Sequence, residues 1–329
     1  MQKKDIFRKI VLFVSIFLIL FSFLEIKART MFRSRTDLSD KHLFFEEQRQ
    51  NLEVLVLGPS LIDKGINPQY FDMPAFNLGY SGQDFYIDYE VLNLYKDKMP
   101  KLKWLVLDLS IAGIVNDSSV TDAVIWKDFF WKLHIPPRNK NIIDILLNTS
   151  VFFRDHYLFI DYFIEKEHAS PNPIIKSFYV PDPPPNDSYL LKSGFRFTCT
   201  IRSEEDLKDH AKKAIEHMET LKKKDKIVKE NIDYFDKILA IAYKKGWNVI
   251  IITTPKIKYY LDYIDVESKN EFNAIVEGFL KKYPNIIYKD FRNDPQFIQE
   301  DFLNAFHLNY RGAAKITRSI NQIIKTNPI

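Results

Sequence analysis

Cysteine is almost absent. Cys199 is the only one in 329 residues, so no intramolecular disulfide can form, which excludes a disulfide-stapled scaffold. It says nothing about compartment, because large domains do without such bridges. Excess charge is missing too: 47 basic residues against 43 acidic ones leave a net charge of +4, and a surface so balanced gives no argument for a nucleic-acid partner. There is no C-x-x-C pair, glycine-rich phosphate loop, dinucleotide fingerprint or H-E-x-x-H, so neither a cofactor nor a metal is expected. Of the seven histidines, His42, His134, His156 and His168 have no partner pattern. His210 and His217 lie two turns apart on one predicted helix face and read as packed or solvent-exposed. No internal repeat or low-complexity tract occurs.

What is present is an apolar fraction of 46% with 15% aromatics, enough for one large α/β domain with an insertion, or for two domains. Near the N-terminus, Lys3, Lys4, Arg8 and Lys9 precede an apolar run over 10–24, broken only by Ser15 and Ser22. That run lies between a signal-peptide core and a membrane span of about 20 residues. Glu25-Ile26-Lys27-Ala28-Arg29-Thr30 follows it and offers no small-residue cleavage pattern, so the expectation is an uncleaved single-pass anchor within 1–28. Lys27, Arg29, Arg33 and Arg35 rival the basic residues before the run, so the charge rule for orientation nearly cancels. The main domain is expected outside the cytoplasm. Residues 29–50 read as a charged tether, partly helical at 44–50.

The folded domain is expected over 51–329. Val54-Leu55-Val56-Leu57 is a fully buried strand of a parallel sheet, stopped by Gly58-Pro59 with Ser60 at its carboxyl edge. A second strand over 75–78 runs into Gly79-Tyr80-Ser81-Gly82. A helix over 83–98 follows, with Phe85, Tyr89, Leu92 and Tyr95 on one face, then a third strand over 104–109. Strand–helix–strand at this spacing marks a right-handed crossover. The rhythm breaks from 116 to 203, read as a mostly helical insertion with helices over 120–133 and 142–167 and an extended Pro181-Asp182-Pro183-Pro184-Pro185. A helical stretch over 204–245, broken near 222–226, ends at Gly246. Strands at 247–253 and 286–288 flank a helix over 265–283, and a last helix spans 312–325.

In open α/β sheets ligands bind at the carboxyl edges of the strands. Ser60 sits there, as a nucleophile or merely as a turn and cap residue. His307 lies in the loop after the fifth strand, which also reaches that edge, and histidine is the usual base for a serine hydroxyl.

Gly58-Pro59-Ser60-Leu61, the segment Asn77-Leu78-Gly79-Tyr80-Ser81-Gly82 and the late His307-Leu308-Asn309 together resemble the SGNH (GDSL-like) hydrolase superfamily, in order and in sheet position. The resemblance implies a three-layer parallel α/β fold, with Ser60 as nucleophile, Gly82 as a backbone oxyanion donor and His307 as base. With the N-terminal run, the chain looks most like membrane-attached members that handle acyl groups on cell-surface polymers, among them teichoic-acid D-alanylation and alginate O-acetylation proteins. It departs from the family pattern in three places. Pro59 replaces the aspartate before the nucleophile. Asn304 replaces the acid three residues before His307, leaving Asp301 as the nearest carboxylate in sequence. The asparagine of the third block is missing, with Ser110 or Asn116 as substitutes. The implied function is a membrane-anchored O-acyl esterase or acyltransferase acting on an acylated cell-envelope glycan, or another acyl ester, through an acyl-serine intermediate. The alternative is a non-catalytic member that binds a glycan or an integral-membrane acyltransferase partner.

Overall fold

The aliphatic runs become neighbouring strands. The structure, a computed structural model, describes residues 2–31, 37–116, 129, 133–136, 138, 150, 189–199, 203–222 and 225–327. Contacts divide the chain into two units: Met1–Thr36 with Pro136–Pro171, and Asp37–Ile135 with Asn172–Ile329. The helices expected over 120–133 and 142–167 lie almost wholly outside the described residues.

In the first unit, α1 (Gln2–Met31) is longer than the apolar run that marks it. Its stretch Lys4–Lys27 is 24 residues long and holds an 18-residue window of mean hydropathy 2.4. At about 1.5 Å per residue this exceeds the roughly 30 Å of a bilayer core. Phe13, Phe17 and Ile19 are each more than half exposed. The helix is long and apolar enough to cross a membrane.

The second unit is an α/β body. Its strands are β1 (Val54–Leu57), β2 (Ala75–Asn77), β3 (Trp104–Asp108), the short pair β4 (Tyr189–Leu190) and β5 (Arg196–Phe197), then β6 (Asn248–Thr253) and β7 (Ile286–Asp290). Its helices are α2 (Asp37–Gln48), α3 (Ser60–Asp63), α4 (Phe85–Tyr95), α5 (Ile111–Val115), α6 (Glu204–Lys222), α7 (Asp225–Lys245), α8 (Lys258–Asp262), α9 (Val266–Lys282) and α10 (Tyr310–Thr326). Five strands form one parallel sheet in the order β2-β1-β3-β6-β7.

Alternation along the central strands feeds two cores. Leu55, Leu57, Leu105, Leu107, Val249 and Ile251 pack with Leu92 of α4, Phe235 of α7 and Phe272 of α9. Val54, Val56, Val106, Ile250 and Ile252 pack on the other face with Ile316, Ile320 and Ile324 of α10. Buried on both faces, these strands read as continuous aliphatic runs, and the result is helices on both sides of the sheet. After β1 the chain steps to β2 on one side and β3 on the other, so the order reverses between β1 and β3. In such sheets the crevice at that switch is the usual ligand site.

One expectation is corrected. The helix expected only over 44–50 of the tether starts earlier, at Asp37, with Leu38 and Phe45 fully buried in the core. Toward the end of the 116–203 segment lies the antiparallel pair β4–β5, beside the β2 edge. There the Asn77 N–H donates to the Ser193 carbonyl (3.0 Å). Gly194 (φ +81°) sits so close that a Cβ would lie 2.0 Å from the Asn77 carbonyl oxygen, leaving room for glycine alone.

Candidate active site

The turn after β1 aims Ser60. Gly58 has φ +145°, and a Cβ there would lie 2.7 Å from Ile62 Cγ1, so no side chain fits. Pro59 is extended (φ −74°), and its carbonyl accepts the N–H groups of Ile62 (2.9 Å) and Asp63 (3.0 Å). Proline here pre-sets the angle that starts α3, with Ser60 as the first helical residue. The second block clasps this turn. Asn77 donates through Nδ2 to the carbonyls of Ile62 and Ile66, both at 2.7 Å, and accepts the Gly79 N–H through Oδ1 (3.0 Å). All of the amide of Asn77 is thus engaged in bracing the serine turn.

Below Ser60 lies a buried ionic knot. Lys41 of α2 donates to Asp63 Oδ1 (2.7 Å) and to the Gly79 carbonyl. Asp63 Oδ2 accepts Arg196 Nε (3.0 Å) and Ser81 Oγ (3.1 Å). Lys41 and Asp63 side chains have no exposed surface. Burial alone would raise the Asp63 carboxyl, but Lys41 and Arg196 overcome it and hold it well below the usual range. Four segments far apart in sequence are joined here, and no local pattern announces it.

The last loop delivers His307. Asn309 caps α10, accepting the N–H groups of Arg311 (2.9 Å) and Gly312 (3.3 Å). Its Nδ2 donates to the Glu300 carbonyl (2.7 Å). The Leu303 N–H returns to the His307 carbonyl (2.8 Å). Held in this way, His307 Nε2 lies 2.7 Å from Ser60 Oγ, across 247 residues of sequence.

Asn304 occupies the third position. Its Oδ1 accepts the backbone N–H groups of His307 (2.9 Å) and Phe306 (3.2 Å) and lies 3.1 Å from His307 Nδ1. With Nδ1–H donated to that oxygen, Nε2 is left unprotonated to take the serine proton. Asn304 Nδ2 is also 3.0 Å from Nδ1, and through it the amide supports the opposite tautomer, which a carboxylate could not. Asp301 is no substitute. Its Oδ2 is occupied by Lys315 Nζ (2.6 Å) and the Ile298 N–H (2.9 Å), so it secures the loop against α10. Burial, then the charges of Lys64, Lys256 and His210, push His307 well below its ordinary value. At neutral pH the ring is uncharged, in the form a base requires.

Ser60 and His307 border a cavity of about 600 Å³ that Gly82, Ser110 and Asn116 also line. Gly82 has φ +82°. Ser110 Oγ accepts the Gly113 N–H (3.1 Å) as the cap of α5. Asn231, fully buried on α7, donates to the carbonyls of Ile114 (2.7 Å) and Asn116 (2.6 Å), fixing that wall.

Other lining residues escape a sequence reading. Lys256 follows β6 and is only 7% exposed; its Nζ donates to Thr254 Oγ1 (2.5 Å), and burial lowers it to about 8 despite nearby Asp108. His210, Lys213, His217 and Met218 come from α6. The two-turn spacing of His210 and His217 was the available signal, but it pointed only to a shared helix face.

No protein-family model and no curated protein matches the chain. Among solved structures it is similar to a Bacteroides fragilis protein described as a "putative acylhydrolase", at 11% identity over 87% of this chain and 95% of that one, with a TM-score of 0.39. At that distance the likeness carries no argument about activity.

Proposed function

We propose that this protein is a serine acyl-transfer enzyme of SGNH type, working on O-acyl esters through an acyl-serine intermediate. One observation carries the reading: Ser60 Oγ and His307 Nε2, at 2.7 Å, meet beside a cavity at the switch point of a parallel sheet. In the reaction, Oγ attacks the ester carbonyl as its proton passes to Nε2, and the carbonyl electron pair moves onto oxygen. The backbone N–H groups of Ser60 and Gly82 would hold that oxyanion. As it collapses, the alcohol leaves with the proton from His307. Water, or a sugar hydroxyl, then repeats the sequence in reverse. With α1 as a membrane anchor and the α/β body outside the cytoplasm, an acylated envelope glycan is the substrate that suits the location. Protease accessibility in intact cells tests that orientation.

A fluorophosphonate probe tests the chemistry. Labelling of the wild type that disappears in Ser60→Ala supports the enzyme. No labelling under conditions that label another serine esterase removes it. A second reading, a non-catalytic partner that binds a glycan or an integral-membrane acyltransferase, is favoured by Asn304 standing where a triad has its carboxylate.

A further inference from the structure

The cavity beside Ser60 has two kinds of wall. Leu61, Val115, Met218 and Tyr260 are apolar, whereas His210, Lys213, His217 and Lys256 are basic, and none of the described lining residues is acidic. A chain with nearly equal numbers of acids and bases has therefore sorted one sign into its site. Asp209 does pair with Lys213 (2.7 Å), but the side chains are 58% and 72% exposed, and such pairs are weak and screened. Asp209 and Glu216, the acids nearest on α6, are exposed and do not line the cavity.

We propose that the ester turned over at Ser60 carries an anionic group (a carboxylate, phosphate or sulfate) that seats against His210, Lys213 and His217 and supplies the negative charge that Asn304 does not. This rests on the acyl-serine reading above. When Ser60 gives up its proton, His307 becomes imidazolium; Lys64, Lys256 and His210 each oppose that charge more than Asp63 favours it. Asn304 offers a dipole only. A bound anion offsets those positive charges, so the substrate completes the electrostatics of the base. Selectivity and catalysis then share one origin: a neutral ester fits the apolar wall but leaves the imidazolium uncompensated.

The test compares kcat/KM within two matched pairs. Mono-4-nitrophenyl succinate against 4-nitrophenyl acetate places the charge on the acyl side. Acetylated glycerol 3-phosphate against monoacetylglycerol places it on the alcohol side. At least one anionic member is expected to be preferred by about tenfold or more, a preference that shrinks as salt is added. Combining His210→Gln with Lys213→Gln should reduce the ratio, and Asn304→Asp should narrow it by accelerating the neutral ester more. Equal turnover of both members in both pairs, with acylated Ser60 seen by mass spectrometry, overturns the anionic substrate and leaves the nucleophile standing. Absence of acyl-Ser60 with all four esters overturns both.

Discussion

Asn304→Asp converts the amide beside His307 into a carboxylate and restores a Ser-His-Asp arrangement. The oxygen that becomes charged lies 3.1 Å from Nδ1, in a site where Asn304 and His307 are each 8% exposed. At an effective dielectric of about 20, a unit charge at that distance favours imidazolium by about 5 kcal/mol. The reverse change in a serine protease lowers kcat by about 10⁴-fold, close to the same energy. Burying a new carboxylate offsets part of the gain. The cost is moderated because two backbone N–H groups, of His307 and Phe306, already point at this oxygen. The substitution also removes the Nδ2 donor and with it the unproductive tautomer. Hydrolysis of 4-nitrophenyl acetate by Asn304→Asp should therefore rise by about a hundredfold to ten-thousandfold. Burst kinetics should separate acylation from deacylation. A variant with wild-type circular dichroism and unchanged acylation rate would refute the idea that the missing charge limits this site.

Two further predictions concern stability. Lys41→Met leaves Asp63 buried with Arg196 and Ser81 but without its closest cation, and should destabilise the α/β body by about 3–5 kcal/mol; an unfolding midpoint shift worth under about 1 kcal/mol would show the knot to be dispensable. His42, stacked near Tyr95 with ring centroids 6.0 Å apart, is pushed by burial down to about 3 from 6.5. The folded chain keeps it neutral while the unfolded chain protonates it below its ordinary value. Stability from this group is complete above pH 6.5 and drains away toward pH 3, by about 2 kcal/mol at pH 5. Denaturant titrations at pH 7 and pH 5 should show His42→Phe spared that share, and identical losses in both proteins would contradict it.

The sheet was legible because three of its five strands, β1, β3 and β6, are short aliphatic runs buried on both faces, a pattern that needs no tertiary knowledge. Ser60 and His307 were legible because each sits directly after or before a recognisable element. The edge pair β4–β5 was not: two residues per strand are too few to show a period. Helix α2 was misread because its surface half is strongly charged, while the burial of Leu38, Lys41 and Phe45 depends on partners elsewhere in the chain. Lys41 and Lys256 look in sequence like any solvated lysine. Only the fold shows that one neutralises Asp63 and the other lines the cavity. Asp301 illustrates the converse, since its proximity to His307 in sequence disguised an ion pair with Lys315.

The place of Lys41 has a practical consequence. Helix α2 begins at Asp37, six residues after α1 ends at Met31, so the segment that follows the membrane-competent helix also supplies the counter-ion to Asp63, in the helix that Ser60 starts. A soluble protein trimmed to the first strand, starting at residue 51, would lose Lys41 and Phe45, leave Asp63 short of a cation and uncover Phe76, against which Phe45 packs edge to face. A protein trimmed just before Asp37 would keep both. A chain starting between the two helices would keep the Lys41–Asp63 pair, whereas one starting a few turns further along would lose it.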